Sequence, residues 1–147
     1  MMTETMKIYI TWGVFYLVWY ILNALGYKGE FKKAGVSEGK AFIPFVREME
    51  VYKLCWNKKN IGVYWLLTAV LGIVMLIAGS MLKIQVIAWA GFVLVIASQV
   101  LQIMRCFHQS KAFGRTGGMT AALVLVNPIA NFILGRSLSE YKGIVKA

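Results

Sequence analysis

Long apolar runs separated by short polar stretches set the architecture of this chain. A helix needs roughly 20 mostly apolar residues to cross the ~30 Å hydrocarbon core of a bilayer. Residues 8–26, 61–79 and 84–104 form three such runs, none carrying a charge. A fourth, 119–135, is shorter and is interrupted by Asn127-Pro128. It reads as a span, with a kinked or re-entrant segment as the alternatives, because backbone groups freed at a proline need protein partners inside a membrane.

Between the first two runs the period changes. Phe42, Phe45, Val46, Met49, Tyr52, Cys55 and Trp56 recur at steps of three and four, so residues 41–56 read as an amphipathic helix with Pro44 in its first turn. Arg47, Glu48, Glu50 and Lys53 fall mainly on the other arc. Such a helix is too charged to span and is expected to lie in the membrane interface, or to pack against the spans as a linker. Glu30 to Ala34 reads as a further helical turn ended by Gly35. The predicted fold is therefore all-α. It is one integral membrane domain over 1–147, a polytopic bundle of four hydrophobic segments with a cytoplasmic interfacial amphipathic helix.

Composition agrees. Of 147 residues, 59% are hydrophobic and 15% charged, against ~45–50% and ~25% in soluble domains. The mean hydropathy is +0.66. Disorder is excluded, and two cysteines do not make a disulfide scaffold.

The net charge of +10 reads as topology. Lys28, Lys32, Lys33, Lys40, Arg47, Lys53, Lys58 and Lys59 lie between the first and second runs, and Arg105, Lys111 and Arg115 between the third and fourth. The positive-inside rule makes these connections cytoplasmic and puts the N-terminus outside. A fourth span would put the basic tail (Arg136, Lys142, Lys146) outside, against that rule, and a re-entrant segment would relieve the conflict. Nucleic acid is rejected as a partner, since the basic segments carry no recognition motif. Anionic lipid headgroups are the expected contacts of Lys32, Lys33, Lys40, Arg47, Lys53, Lys58, Lys59, Lys111 and Arg115. Lys7, the apolar run and Ala24-Leu25-Gly26 loosely imitate a signal peptide, but the aromatic richness of the run favours a retained anchor.

Polar residues inside spans are costly and point to function. Ser98, Gln102, Arg105 and Gln109 step down one face of the third helix, with Gln99 beside them. Asn127 and Asn131 share a face of the fourth segment, and Asn23 lies in the first. Asn23, Ser98, Gln99, Gln102, Arg105, Asn127 and Asn131 thus form a candidate intramembrane cluster. Its plainer role is interhelical hydrogen bonding, and the alternative is a small hydrated path or ligand site. With no acidic residue counted in the spans, a proton relay would lack carboxylates.

Catalytic chemistry finds little support. There is one histidine, His108, and no aspartate. No ligand cluster surrounds Cys55 or Cys106, so no metal or cofactor is expected. Cys106 and His108, two apart on a helix, point in different directions. Lys111 to Gly118 lacks the P-loop spacing and follows a helix, so it reads as a turn.

Several pieces in order resemble a family of small uncharacterised bacterial polytopic membrane proteins, a domain of unknown function. They are Lys33-Ala34-Gly35, Gly39 to Phe45, Tyr52-Lys53-Leu54, Lys111 to Arg115, Pro128, Ile133-Leu134-Gly135 and Tyr141-Lys142-Gly143. After the proline, where that pattern continues with an aromatic and an asparagine, this chain reads Phe45-Val46-Arg47-Glu48. The resemblance implies an integral membrane protein and supplies no activity. Members are sometimes loosely labelled signal peptidase I. Gly79-Ser80-Met81 echoes that enzyme's nucleophile box, but Lys83 replaces its proline, and the short connection there cannot house the β-rich domain such a Ser–Lys enzyme needs. The functional expectation is a non-enzymatic accessory or scaffold subunit that docks a membrane protein or self-associates. A small transport or pore protein is the alternative, and a membrane enzyme the remote one.

Overall fold

A computed structural model describes residues 3–56, 58 and 60–144. Among them the chain is all helical: α1 (Glu4–Lys33), a 3₁₀ turn (Glu38–Phe42), α2 (Val46–Cys55), α3 (Ile61–Met81), α4 (Gln85–Ala112), α5 (Gly117–Leu125) and α6 (Asn127–Arg136). Three helices, α1, α3 and α4, are long and apolar enough to cross a membrane. The chain is a membrane protein by that criterion.

Thr3 caps α1, its hydroxyl accepting from the Met6 amide at 3.3 Å. The helix then runs 30 residues without a break, about 45 Å at the helical rise. The helical turn expected at Glu30 is thus the continuation of the first run. Gly35, at φ 71°, turns the chain out of it.

α3 and α4 form an antiparallel hairpin held by small residues. A Cβ on Gly72 would meet Val95 and Gly91, and one on Gly79 would meet Ala88. Side chains this small let helix backbones touch, the usual packing where lipid rather than water surrounds the helices.

α1 and α4 run parallel. Tyr27 meets Arg105, Glu30 meets Gln109, and Lys33 lies over the Phe113 ring. Connections 34–45, 113–116 and 137–144 therefore gather at one end of the bundle, the loop end. There Tyr27, Phe31, Ala41, Val51, Cys55, Cys106, Phe113, Leu123 and Leu134 form the buried core. The opposite half of α1 has no cover, with every residue from Thr3 to Trp19 exposed.

Two segments that read as continuous in the sequence are broken in the structure. Residues 119–135 do not form one rod. α5 is 9 residues and α6 is 10, each too short for the hydrocarbon core. The chain reverses between them at Val126, since Pro128 in the first turn of α6 cannot continue a preceding helix. α5 starts beside the end of α4, where Ser110 Oγ donates to Thr116 O at 2.9 Å. α6 returns parallel to α1: Gly26 abuts Asn131 and Phe132, Gly29 abuts Gly135, and Lys33 reaches Ser137. The tail passes the point where α5 began, with the Lys142 amide donating to Ala112 O at 2.7 Å.

The 41–56 helix also divides, into the 3₁₀ turn and α2. Ile43, preceding Pro44, is held extended, and Phe45 sits at φ 64°. Pro44 therefore lies in the break. The change of direction turns Val51, Tyr52 and Cys55 into the core and leaves Phe42 and Phe45 exposed.

Candidate functional site

Asn23, Tyr27 and Glu30 follow four- and three-residue steps on α1 and share one face. Arg105 and Gln109 are one turn apart on α4, and Asn127 and Asn131 one turn apart on α6. Parallel packing of these helices brings the three faces together.

Gln109 is the junction. Its Nε2 donates to Glu30 Oε2 at 2.8 Å and to Asn131 Oδ1 at 2.9 Å. Its Oε1 accepts from Arg105 Nη1 at 3.1 Å. Asn131 Nδ2 donates to Asn23 Oδ1 at 2.6 Å and to Asn127 Oδ1 at 2.8 Å. Asn127 Nδ2 closes the line on Leu123 O at 2.9 Å. One chain of hydrogen bonds therefore links α1, α4, α5 and α6.

The charged end adds α2. Arg105, fully buried, donates to the Tyr27 hydroxyl at 2.9 Å and pairs with Glu48 at 3.5 Å. Glu48 also faces Arg47 Nε at 3.6 Å. The Arg47 guanidinium lies over Tyr20 at 4.8 Å and over Tyr27 at 5.7 Å, and that of Arg105 over Tyr52 at 5.8 Å. Two arginines share the one carboxylate of Glu48, which offsets part of the cost of desolvating the three groups. Among the described residues, Glu30 Oε1, Arg47 Nε and Nη1, Glu48 Oε2 and Arg105 Nε have no hydrogen-bond partner, so the ion pairs around Glu48 are looser than hydrogen bonds.

Of the seven residues expected in an intramembrane cluster, Asn23, Arg105, Asn127 and Asn131 join this network. Gln102 touches its edge, accepting from the Tyr52 hydroxyl at 3.4 Å. Ser98 is buried but bonds its own helix at Val95 O. Gln99 is exposed, with no hydrogen-bond partner among the described residues. Gln99, Gln102 and Asn127 do share the wall of a cavity of about 200 Å³ between α4 and α5, with Ile103, Cys106, Leu123 and Val124.

Glu30, Glu48 and Tyr27 were not singled out from the sequence. The charge-free run 8–26 indeed holds no acid, but α1 continues past it and carries Glu30 into the buried interior. Its signal was present, since Asn23, Tyr27 and Glu30 keep helical steps. The periodicity puts Glu48 and Arg47 on the arc opposite the apolar face, with Arg47 at lipid headgroups; the break at Phe45 turns them inward instead, and Arg47 is buried.

The basic residues divide. Lys33 Nζ donates to Leu134 O at 2.6 Å and to Ser137 O at 2.7 Å, satisfying the open carbonyls at the end of α6. Lys40 and Lys53 both reach Glu50, at 3.2 and 3.1 Å. Burial alone would raise the Glu50 carboxyl, but these two hydrogen bonds hold it below the usual carboxylate range. Lys111 lies over Phe107 at 4.1 Å. Lys32, Lys58 and Arg115 are exposed, and Lys59 lies outside the described residues.

Compared with protein-family models, characterised proteins and solved structures, the chain matches none. Function must therefore be argued from this geometry.

Several chemical readings can be placed in space. Ser80 Oγ donates to Leu76 O at 2.7 Å within its own helix, at the opposite end of α3 from the charged network. His108 stacks on Trp56 at 4.5 Å while Cys106 faces the core, so the two diverge as their spacing predicts. Burial pushes the Cys55 thiol well above its ordinary range, away from nucleophilic use. No group of three or more His, Cys, Asp or Glu able to hold a metal occurs among the described residues.

Proposed function

We propose that this protein is a non-enzymatic accessory or scaffold subunit of the membrane that works by association. The observation carrying this reading is a polar interior whose amides are committed to one another. Asn23, Asn131, Asn127 and Gln109 bond in series, and their partners are helices of the same chain. Such a network rigidifies the loop end of the bundle and holds one arrangement. The pieces that resemble a family of small bacterial membrane proteins converge on this end too. Ala41, Phe113 and Leu134 lie in its core, and Tyr141 donates to Leu54 O at 2.5 Å.

The same reading orients the molecule. The loop end is cytoplasmic, where its basic residues meet anionic headgroups, and the N-terminus and the α3–α4 turn face outward. α5 and α6 enter from the cytoplasm and return to it, so three helices span and the basic tail stays inside. The helical breaks this requires are tolerated where protein satisfies the freed backbone. The amphipathic 41–56 region works as a cytoplasmic collar, resting Phe42 and Phe45 at the interface.

Extraction in mild detergent followed by native mass measurement tests the proposal. A defined oligomer or a stoichiometric partner is the expected result. A lone monomer under all mild conditions overturns it.

A second reading, a small transport protein, draws on the cavity beside Asn127, from which hydrogen bonds lead through Asn131 and Gln109 to Glu30. Reconstituted vesicles would then show a solute flux that falls in a Gln102→Leu/Asn131→Leu variant. Flux absent or unchanged removes this reading.

A further inference from the structure

α4 carries a second pattern, along an exposed arc whose Gln99 and Ile103 also border the cavity against α5. Gln85, Trp89, Phe92, Ile96, Gln99 and Ile103 follow one another at alternating steps of four and three, and all six are exposed. This is the seven-residue seam by which two helices pack side by side at a shallow crossing angle. Two of its members are polar. Gln85 lies at the first turn, but Gln99 lies near the middle of α4, deep in the apolar run and without a hydrogen-bond partner among the described residues.

An amide facing lipid chains loses its bonds to water and gains none in return. An acyl chain offers neither donor nor acceptor. A glutamine offers both, so an identical glutamine is a complementary partner. Two copies inserted the same way round are related by a two-fold axis along the membrane normal, and such an axis brings a seam residue against its own counterpart. Gln99 then meets Gln99, and Gln85 meets Gln85. No charge lies on the seam to oppose this approach. A groove of about 520 Å³, lined by Leu76, Gln85, Ala88, Trp89 and Phe92, opens on the same face and leaves room for bulky side chains.

We propose that the exposed seam of α4 is a homodimer interface, with a second copy of this chain packed in parallel and Gln99 paired to Gln99 across the axis. This rests on the reading of the protein as an associating subunit and names the partner.

The test uses the full chain in phospholipid vesicles. Cys55 and Cys106 are buried, so a cysteine introduced on the surface is the reactive one. Under oxidation, Ile96→Cys and Ile103→Cys form disulfide-linked dimers, while Ala90→Cys, exposed on another side of α4, does not. In energy-transfer measurements Gln99→Leu weakens dimerisation about tenfold, the size expected for an interhelical hydrogen bond in lipid, and Gln99→Asn retains it. Continued protection of the native thiols shows that Gln99→Leu is folded; if they become exposed, the cross-linking pattern with Gln99 in place decides. Equal cross-linking at Ala90, undiminished dimerisation of Gln99→Leu, or a monomer at every protein-to-lipid ratio overturns the proposal. A monomer recovered with a different stoichiometric protein overturns it and leaves the associating role standing. A monomer with no companion overturns both.

Discussion

Asn131 Nδ2 lies 2.6 Å from Asn23 Oδ1, joining the last helix of the chain to the middle of the first. Asn131 is fully buried and its amide also bonds Asn127 and Gln109. Replacing it by leucine fills the space but orphans these groups. An Asn131→Leu chain is expected to lose about 1–3 kcal/mol of stability, the cost of leaving buried polar groups unpaired. Denaturant unfolding in mild detergent measures it, and an unchanged midpoint would show that the network does not hold α6 in place.

Arg105 gives a larger effect. Its removal leaves Glu48 without that partner and Gln109 Oε1 without a donor. Breaking one side of a buried ion pair costs about 3–5 kcal/mol. Arg105→Met is therefore expected to be more damaging than Asn131→Leu. Adding Glu48→Gln should restore part of the loss, because one uncompensated charge goes with it. A double variant no more stable than Arg105→Met would place the cost elsewhere.

Both cysteines should resist a water-soluble maleimide in the folded protein. Cys55 and Cys106 are buried, and burial pushes the Cys55 thiol up, so the reactive thiolate is scarce at neutral pH. Labelling is expected to stay below a few per cent until denaturant is added, then to reach two groups per chain. Rapid labelling of the folded protein would contradict the packing of α2 on α4.

The doubling back of α5 and α6 is open to a sidedness test. In oriented vesicles, cysteines at Ser139 and at Arg115 should label from the same side, and one at Thr3 from the other. Labelling of Ser139 together with Thr3 would restore a fourth crossing.

The three long helices were legible because an unbroken charge-free run of sufficient length has few other uses. The path of residues 119–135 was not, since hydropathy reports how apolar a segment is and not where it goes. Asn127-Pro128 announced the break, but the contact that fixes the return, Gly26 against Gly135, joins residues far apart in sequence. The site was half legible for a similar reason. Asn23, Arg105, Asn127 and Asn131 stood out as polar residues in apolar surroundings. Glu30 and Glu48 sat in stretches already rich in charge, where nothing local separates a buried carboxylate from a solvated one. Arg47 was misplaced by phase, because the left-handed turn at Phe45 resets the helix that carries it.

Asn23 and Asn131 stand 108 residues apart. During synthesis, α1 leaves the ribosome long before α6 exists. Asn23 and Glu30 are made without their final partners, and Lys33 must wait for the carbonyls it caps. The bundle is therefore closed by its last helix, and a nascent chain stopped before Asn127 presents an open polar face to whatever attends its insertion.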